Sequence, residues 1–435
     1  MGARETALNV LIACRKNGAW SNGVLKEYAA RDGLDRREAA LATRLCYGVL
    51  QNRGKLDFYL AQLLTGKLKD LHPALRDILH LGLYQMYEMD KIPQSAAVNE
   101  SVGLAKKYCK RQKFAPGLVN AVLRNAQRKG ETLQQPVELK DKYSHPQKLI
   151  DLLADYVGQE NIENVLKSHN AAPDTVVQVN INRISAQELL ERLEQEGVSC
   201  KAHPWLANCL VLSGTGNLER LSTFREGLFY VQDAAARLSV ACAGPTGMER
   251  VLDCCGAPGG KSFAAALEGA KHIFTCDVHP HKTDLIAEGA KRLGMDNITV
   301  QLQDATVLRK DWVDTMDCVI ADVPCSGYGI IRKKPDIRYK DPDDMAQLPQ
   351  LQLQILETVS QYVKPGGILM YSTCTLVRRE NEDVVAAFLE KHPEFSTVPL
   401  RLPDCFPENT TGMLALISGE YDTDGFFICK LRRNS

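Results

Sequence analysis

A chain of 435 residues with 45% hydrophobic and 24% charged side chains is a globular protein of more than one domain. It has no run of roughly 18 apolar residues and no signal-peptide core, which excludes a membrane-spanning chain and leads to the expectation of a cytoplasmic one. Lys+Arg and Asp+Glu balance at 53 each, yet residues 1–130 hold 22 basic and 11 acidic side chains, net +11, against 31 and 42 in the remainder.

In chain order, residues 4–129 place apolar side chains at helical spacing, as in Leu41, Ala42, Leu45 and Val49 and again in Leu75, Ile78, Leu79, Leu83 and Met86. This predicts an all-helical domain over residues 1–135. Its charge surplus is either a solvated helical surface or the footprint of a polyanion partner. Lys106, Lys107, Lys110, Arg111 and Lys113 interleave with Tyr108 and Phe114, a pattern that neutralises phosphates and stacks bases. Asp35-Arg36-Arg37-Glu38 through Arg53-Gly54-Lys55-Leu56-Asp57, with Val98-Asn99-Glu100-Ser101-Val102 and Asn120-Ala121-Val122-Leu123-Arg124, resemble the helical RNA-binding domain of the NusB type. Fold resemblance alone does not establish RNA binding, and the charge count is its independent support.

Pro136, Pro146 and the polar run between them mark a linker. A small α+β module over 144–225 follows, with helices at 148–156, 162–168 and 186–197 and strands at 176–182 and 209–212. It is a spacer or a second RNA-contacting surface. From Gly227 onward the third domain, 226–435, alternates strand and helix, with strands near 250–254, 272–276, 297–302, 316–321 and 367–371. This is the βαβ pattern of a Rossmann-like parallel sheet covered on both faces. Residues 425–431 are expected to add a last, antiparallel strand at the sheet edge.

Within that domain Val251-Leu252-Asp253-Cys254-Cys255-Gly256-Ala257-Pro258-Gly259-Gly260-Lys261-Ser262 runs an apolar strand through a Gly-rich turn into a helix. Glycines let the backbone approach a ligand, and the free N–H groups of the helix start face it. A Walker A loop needs four residues between its glycines, whereas Gly256 and Gly260 have three between them. The G-x-G-x-x-G spacing of NAD enzymes is also missing, and a tight turn without ligand is the bland alternative. The residues after successive strands weigh against that alternative: Asp277, then Asp304, then Asp322-Val323-Pro324-Cys325, then Ser372-Thr373-Cys374-Thr375. One such Asp is usually a helix cap. Three at the carboxyl edge of a parallel sheet mark a binding crevice, and S-adenosylmethionine is the expected ligand.

The 14 cysteines include no C-x-x-C pair, so neither a disulfide framework nor a metal site is expected. Two of them sit at functional turns rather than inside strands. Thiols in such places suit covalent catalysis. One cysteine can attack and a second assist release.

From the helical domain through Gln232-Asp233-Ala234-Ala235-Ala236, the Gly-rich stretch, Asp322-Val323-Pro324-Cys325-Ser326-Gly327 and Tyr371-Ser372-Thr373-Cys374-Thr375, the whole chain resembles the RNA cytosine-C5 methyltransferases of the Sun/Fmu type. Thr423-Asp424-Gly425-Phe426-Phe427 departs from relatives that carry His or Met before the Asp, which touches substrate contacts rather than reaction class. The resemblance implies Cys374 as nucleophile and Cys325 as release residue, and ribosomal RNA as partner, with cytosine 967 of 16S rRNA as target. It further implies Asp322 holding the cofactor ammonium or cytosine N3, Asp277 the ribose, Asp304 the adenine amine, and the backbone of Cys254, Cys255, Gly256, Ala257, Pro258, Gly259 and Gly260 the methionine and ribose side. Lys261 either bridges Asp322 and the base or is a solvated helix-start lysine. The basic loop from Ile330 to Arg338 is read as a phosphate contact beside the site. The target cytosine must be single-stranded or flipped; no DNA or membrane partner is expected, and the protein is read as a monomer. The alternatives are a non-catalytic RNA-binding assembly factor and a methyltransferase for another RNA such as tRNA.

Overall fold

The computed structural model describes residues 1–17 and 21–435. They form two compact units, Met1–Ala171 with Ile331–Asp341, and Ala172–Ile330 with Pro342–Ser435. The boundary between them falls within the segment expected as a module over 144–225, its first two helices lying in the helical unit and its strands in the other.

The helical unit is built on Ala3–Asn17, Ser21–Arg31, Arg36–Leu63, Pro73–Tyr87, Gln94–Tyr108 and Ala115–Lys129. Asp35 starts the long third helix by accepting the Glu38 N–H at 2.8 Å, and Pro73 occupies the first turn of the fourth, where its missing N–H costs nothing. Their apolar stripes meet in one core of Leu45, Val49, Leu56, Leu60, Ile78, Leu79, Leu83 and Leu123, which holds most of the periodic positions read above. Gly48 permits the closest approach, since a Cβ there would lie 1.9 Å from the Tyr84 ring.

Residues 331–341 thread into this unit. Arg338 is fully buried and donates from Nη1 to Gln51 O (3.0 Å), Tyr143 O (3.3 Å) and Asn170 Oδ1 (2.7 Å), and from Nη2 to His169 O (3.3 Å). Its neighbour Tyr339 donates to Leu50 O at 2.7 Å. The expected phosphate-contacting loop is thus corrected at its far end: a guanidinium at zero exposure that donates to interior carbonyls has no face left for RNA, and Arg332 is only 8% exposed.

The second unit opens with an antiparallel sheet of β1 (Thr175–Val179), β2 (Ser199–Ala202), β3 (Cys209–Ser213) and β4 (Phe229–Val231) in the order β2-β3-β1-β4. The helix Ala186–Gln195, started by a Ser185–Glu188 capping box, lays Leu189 and Leu193 into the core of this sheet. The larger sheet comprises β5 (Arg250–Asp253), β6 (His272–Asp277), β7 (Ile298–Leu302), β8 (Met316–Asp322), β9 (Val363–Thr373), β10 (Phe395–Thr397), β11 (Met413–Leu416) and β12 (Phe426–Arg433). Its order is β10-β12-β9-β8-β5-β6-β7, with β11 paired to β12. Strands β5 to β9 are mutually parallel, close to the five ranges read from the sequence. β12 is antiparallel to β9 as expected, but it is not the edge, because β10 and β11 both pair with it. Apolar cores cover the sheet on both faces, the burial that lets parallel strands read as continuous apolar runs. Connections from β5 lead outward to β6 and β7, then return to β8 on its other side. This switch in strand order puts the carboxyl ends of β5 and β8 at the natural ligand crevice.

Candidate functional site

β5 delivers Asp253 to the crevice and the chain turns at once through residues 254–259 into the helix Gly260–Leu267. Two glycines are required here. A Cβ on Gly256 would meet Thr275 Cγ2 at 2.3 Å, and Gly259 adopts φ +107°, a left-handed conformation with Phe263 packed against it. The turn borders a cavity of about 200 Å³ lined by Gln232, Asp253, Gly256, Pro258, Lys261 and Asp322 with their neighbours.

Asp253 is the residue that sequence reasoning passed over. It is fully buried; its Oδ2 accepts from Ser262 Oγ at 2.7 Å, and Ser262 Oγ accepts from Thr275 Oγ1 at 2.7 Å. Oδ1, equally buried, has no donor among the described residues. Burial pushes its carboxyl up to about 6, against the pull of Ser262 and Lys261. A buried carboxylate half-satisfied by the fold and bordering a cavity fits a ligand that brings a cation or N–H donor. The available signal was an acid ending an apolar strand directly before a Gly-rich turn. Counting only residues beyond the strands hid it.

Lys261 is nearly buried and donates to Asp322 Oδ2 at 2.6 Å, with its ammonium 5.2 Å from the Phe426 ring centre. Asp322 stands opposite Ser372 in the β8–β9 register, and Ser372 Oγ donates to Asp322 Oδ1 at 2.8 Å. Lys261 is thus held against Asp322 rather than solvated at the helix start. Asp277 ends β6 and is 6% exposed, with Oδ1 accepting the His279 N–H at 3.0 Å and Lys282 3.7 Å away. Asp304 follows β7, is exposed, and receives the Thr306 N–H and hydroxyl. Neither lines the cavity, which ends at the β5 and β8 tips. The thiol of Cys254 packs into the core, so only its backbone is available to a ligand.

The thiols of Cys325 and Cys374 approach to 3.2 Å, although 49 positions separate them in the chain. Cys325 follows β8 and Cys374 follows β9, and both are half-buried. The hydrogen bond to Cys374 and burial push the Cys325 thiol well up, and either sulfur can be the donor across the contact. The pair can therefore present one sulfur as nucleophile and the other as proton donor.

In the helical unit, residues 101–130 carry eight basic and no acidic side chains, and all eight are exposed. Phe114 stands 64% exposed among them, whereas Tyr108 is half-buried and donates its hydroxyl to Glu5 Oε1 at 2.8 Å. One aromatic of the interleaved pattern is presented outward and the other is held inward.

Three family models match the chain: "16S rRNA methyltransferase RsmB/F" over residues 241–432, the NusB family over 1–128, and the ferredoxin-like domain of RsmF/B-like methyltransferases over 145–219. The "probable ribosomal RNA small subunit methyltransferase B" of Bacillus subtilis is 37% identical, covering 99% of this chain and 98% of its own. The ribosomal RNA small subunit methyltransferase B of Vibrio cholerae is 34% identical over 93% and 92%. Among solved structures, the crystal structure of PH0851 superposes with a TM-score of 0.81 at 24% identity, covering 100% of this chain and 99% of that one, which shows a shared fold.

Proposed function

The chain belongs to the family of ribosomal RNA small subunit methyltransferase B, and from that membership we propose that it methylates C5 of a cytosine in small-subunit ribosomal RNA, by resemblance cytosine 967 of 16S rRNA. The observation that carries the reading is the pair of thiols 3.2 Å apart beside the β5–β8 crevice. S-adenosylmethionine, held by Asp253 and the 256–260 backbone, with Asp277 and Asp304 as further contacts, supplies an electrophilic methyl group when bound. Cys374 adds to C6 of an unstacked cytosine, and Lys261 and Asp322 fix the ring and its N3 edge. C5, now an enamine carbon, takes the methyl group as the methyl–sulfonium bond breaks and the thioether S-adenosylhomocysteine departs; loss of the C5 proton to a base then regenerates the C5–C6 double bond and expels the Cys374 thiolate. Cys325, within hydrogen-bond distance of that sulfur, returns the proton the leaving thiolate needs. Deproteinised small-subunit RNA incubated with the protein and methyl donor should yield 5-methylcytidine on nucleoside mass analysis. Methylation confined to an exocyclic nitrogen, or to tRNA, would overturn the assignment.

The contribution of Asp277 is tested by Asp277→Ala. Loss of a charge-assisted hydrogen bond is expected to weaken cofactor binding by roughly 1.5–3 kcal/mol in calorimetry. Unchanged affinity would leave Asp277 as only the cap it forms with His279.

The exposed basic face supports RNA capture by the helical unit, with Phe114 offering a stacking surface. Replacing Lys110, Arg111 and Lys113 together by Ala should flatten the salt dependence of RNA binding, reducing the slope of log K against log salt by about 2, at roughly 0.7 for each phosphate no longer neutralised. Cofactor affinity should stay as it was. An unaltered slope would make these residues a solvated surface.

A further inference from the structure

The 3.2 Å spacing of the two thiols has an identifiable cause outside the crevice. Each cysteine is gripped through the residues on either side of it. Pro324 O accepts Gln352 Nε2 at 2.9 Å, and the Ser326 N–H donates to Glu380 Oε2 at 2.9 Å. Across the gap, Thr373 Oγ1 donates to Asn381 Oδ1 at 2.6 Å, and Asn381 Nδ2 donates to Thr375 O at 3.0 Å. The two halves are closed on each other by Gln352 Nε2 to Glu380 Oε2 (3.0 Å), by Tyr371 OH to Glu380 O (2.6 Å), and by a 2.7 Å contact between the Ser326 and Thr375 hydroxyls.

Gln352, Glu380 and Asn381 all have zero exposure, and none lines the cavity. Gln352 comes from the helix Leu348–Ser360, whereas Glu380 and Asn381 come from the turn after the Cys374 loop. Burying a carboxylate and two amides is costly, and here Glu380 Oε1 and Gln352 Oε1 find no partners among the described residues. An apolar trio would fill the same volume more cheaply, but it could not hold four main-chain and hydroxyl groups flanking two separate cysteines. Covalent catalysis with two thiols is sensitive to such placement, since a shift of about 1 Å in a reacting group can cost on the order of 100-fold in rate.

We propose that Gln352, Glu380 and Asn381 form a clamp that sets the distance and orientation of the Cys325 and Cys374 sulfurs, making them positioning residues for both attack and release. The inference rests on the two-thiol reading of the reaction for its catalytic consequence, but the spacing itself can be measured without RNA. In the full-length protein, diamide takes two electrons and two protons from neighbouring thiols as an S–S bond forms. Peptide mass analysis should find the 325–374 disulfide forming rapidly in the wild type. In Glu380→Ala that rate should drop at least tenfold and in Ser326→Ala about threefold, while Glu380→Gln, which keeps an acceptor for the Ser326 N–H, should recover most of it. With RNA and methyl donor, Glu380→Ala should show kcat reduced at least tenfold and a larger fraction of enzyme trapped as covalent adduct, with cofactor Kd within twofold of wild type. A folded Glu380→Ala or Asn381→Ala protein that forms the disulfide at the wild-type rate overturns the clamp. Slowed disulfide formation, with no RNA adduct in any variant including wild type, leaves the clamp standing and rejects the two-thiol reaction.

Discussion

Cys374→Ala is expected to yield neither methylated RNA nor a covalent complex, whereas Cys325→Ala is expected to accumulate a protein–RNA adduct that survives denaturing gels. The asymmetry follows from the order of steps. Without the Cys374 sulfur nothing adds at C6, so C5 never becomes nucleophilic, and the loss should reach the background rate, at least about 10⁴-fold, as for removal of a covalent nucleophile. Without Cys325 the adduct and methyl transfer are still available, but the departing sulfur has lost the thiol that stands 3.2 Å from it and can return a proton. Release then becomes the slow step, and adduct should build up to a large fraction of the enzyme within one turnover. The reverse pattern would give attack to Cys325, the arrangement of DNA cytosine-C5 enzymes. Full activity in both variants would reject covalent catalysis.

How far the sequence reached depended on whether a feature is local. The five parallel strands and the helical third were legible because each is set by its own apolar period, and the Gly-rich turn because its glycines cluster between an apolar strand and a helix, Gly259 being demanded by Phe263 four residues on. The cysteine pair was legible as two strand-end thiols, since the sheet order brings the ends of adjacent strands together whatever lies between them. Failures arose where meaning depends on a distant partner. Arg338 reads as a surface cation until the carbonyls of Gln51, Tyr143 and His169 are found around it. β10 and β11 are short, and what makes them strands is pairing with β12 rather than any pattern of their own. Tyr108 and Phe114 are alike in sequence, and only the reach of Glu5 to one of them separates their roles. Gln352, Glu380 and Asn381 are ordinary polar residues in their local context; their burial belongs to the tertiary structure.

Asp253→Asn should make the protein more stable at pH 8 while weakening its hold on the cofactor. Burial raises this carboxyl from 3.8 to about 6. The folded chain therefore binds the Asp253 proton more tightly than the unfolded chain does. That contribution to stability is complete below about pH 3.8 and is lost as pH rises through about 6. A shift of roughly 2 units corresponds to about 3 kcal/mol, which Asn, neutral at every pH, does not give up. Thermal melts without ligand should show the wild type falling behind Asp253→Asn between pH 4 and 7, by several degrees at pH 8. With S-adenosylmethionine the order of merit inverts, because the charge that is costly in the empty crevice becomes the partner of the ligand's cationic end through the otherwise unmatched Oδ1. Losing a charged hydrogen bond of roughly 1.5–3 kcal/mol should weaken binding by about 10- to 100-fold. Wild-type affinity should also fall as pH drops below about 6, where the carboxyl is protonated before ligand arrives, whereas the Asn variant should lack that pH dependence. Equal affinities in the two proteins, or a melting difference that does not change between pH 4 and 7, would mean that Asp253 holds only Ser262 and that the ligand is bound elsewhere along the strand ends.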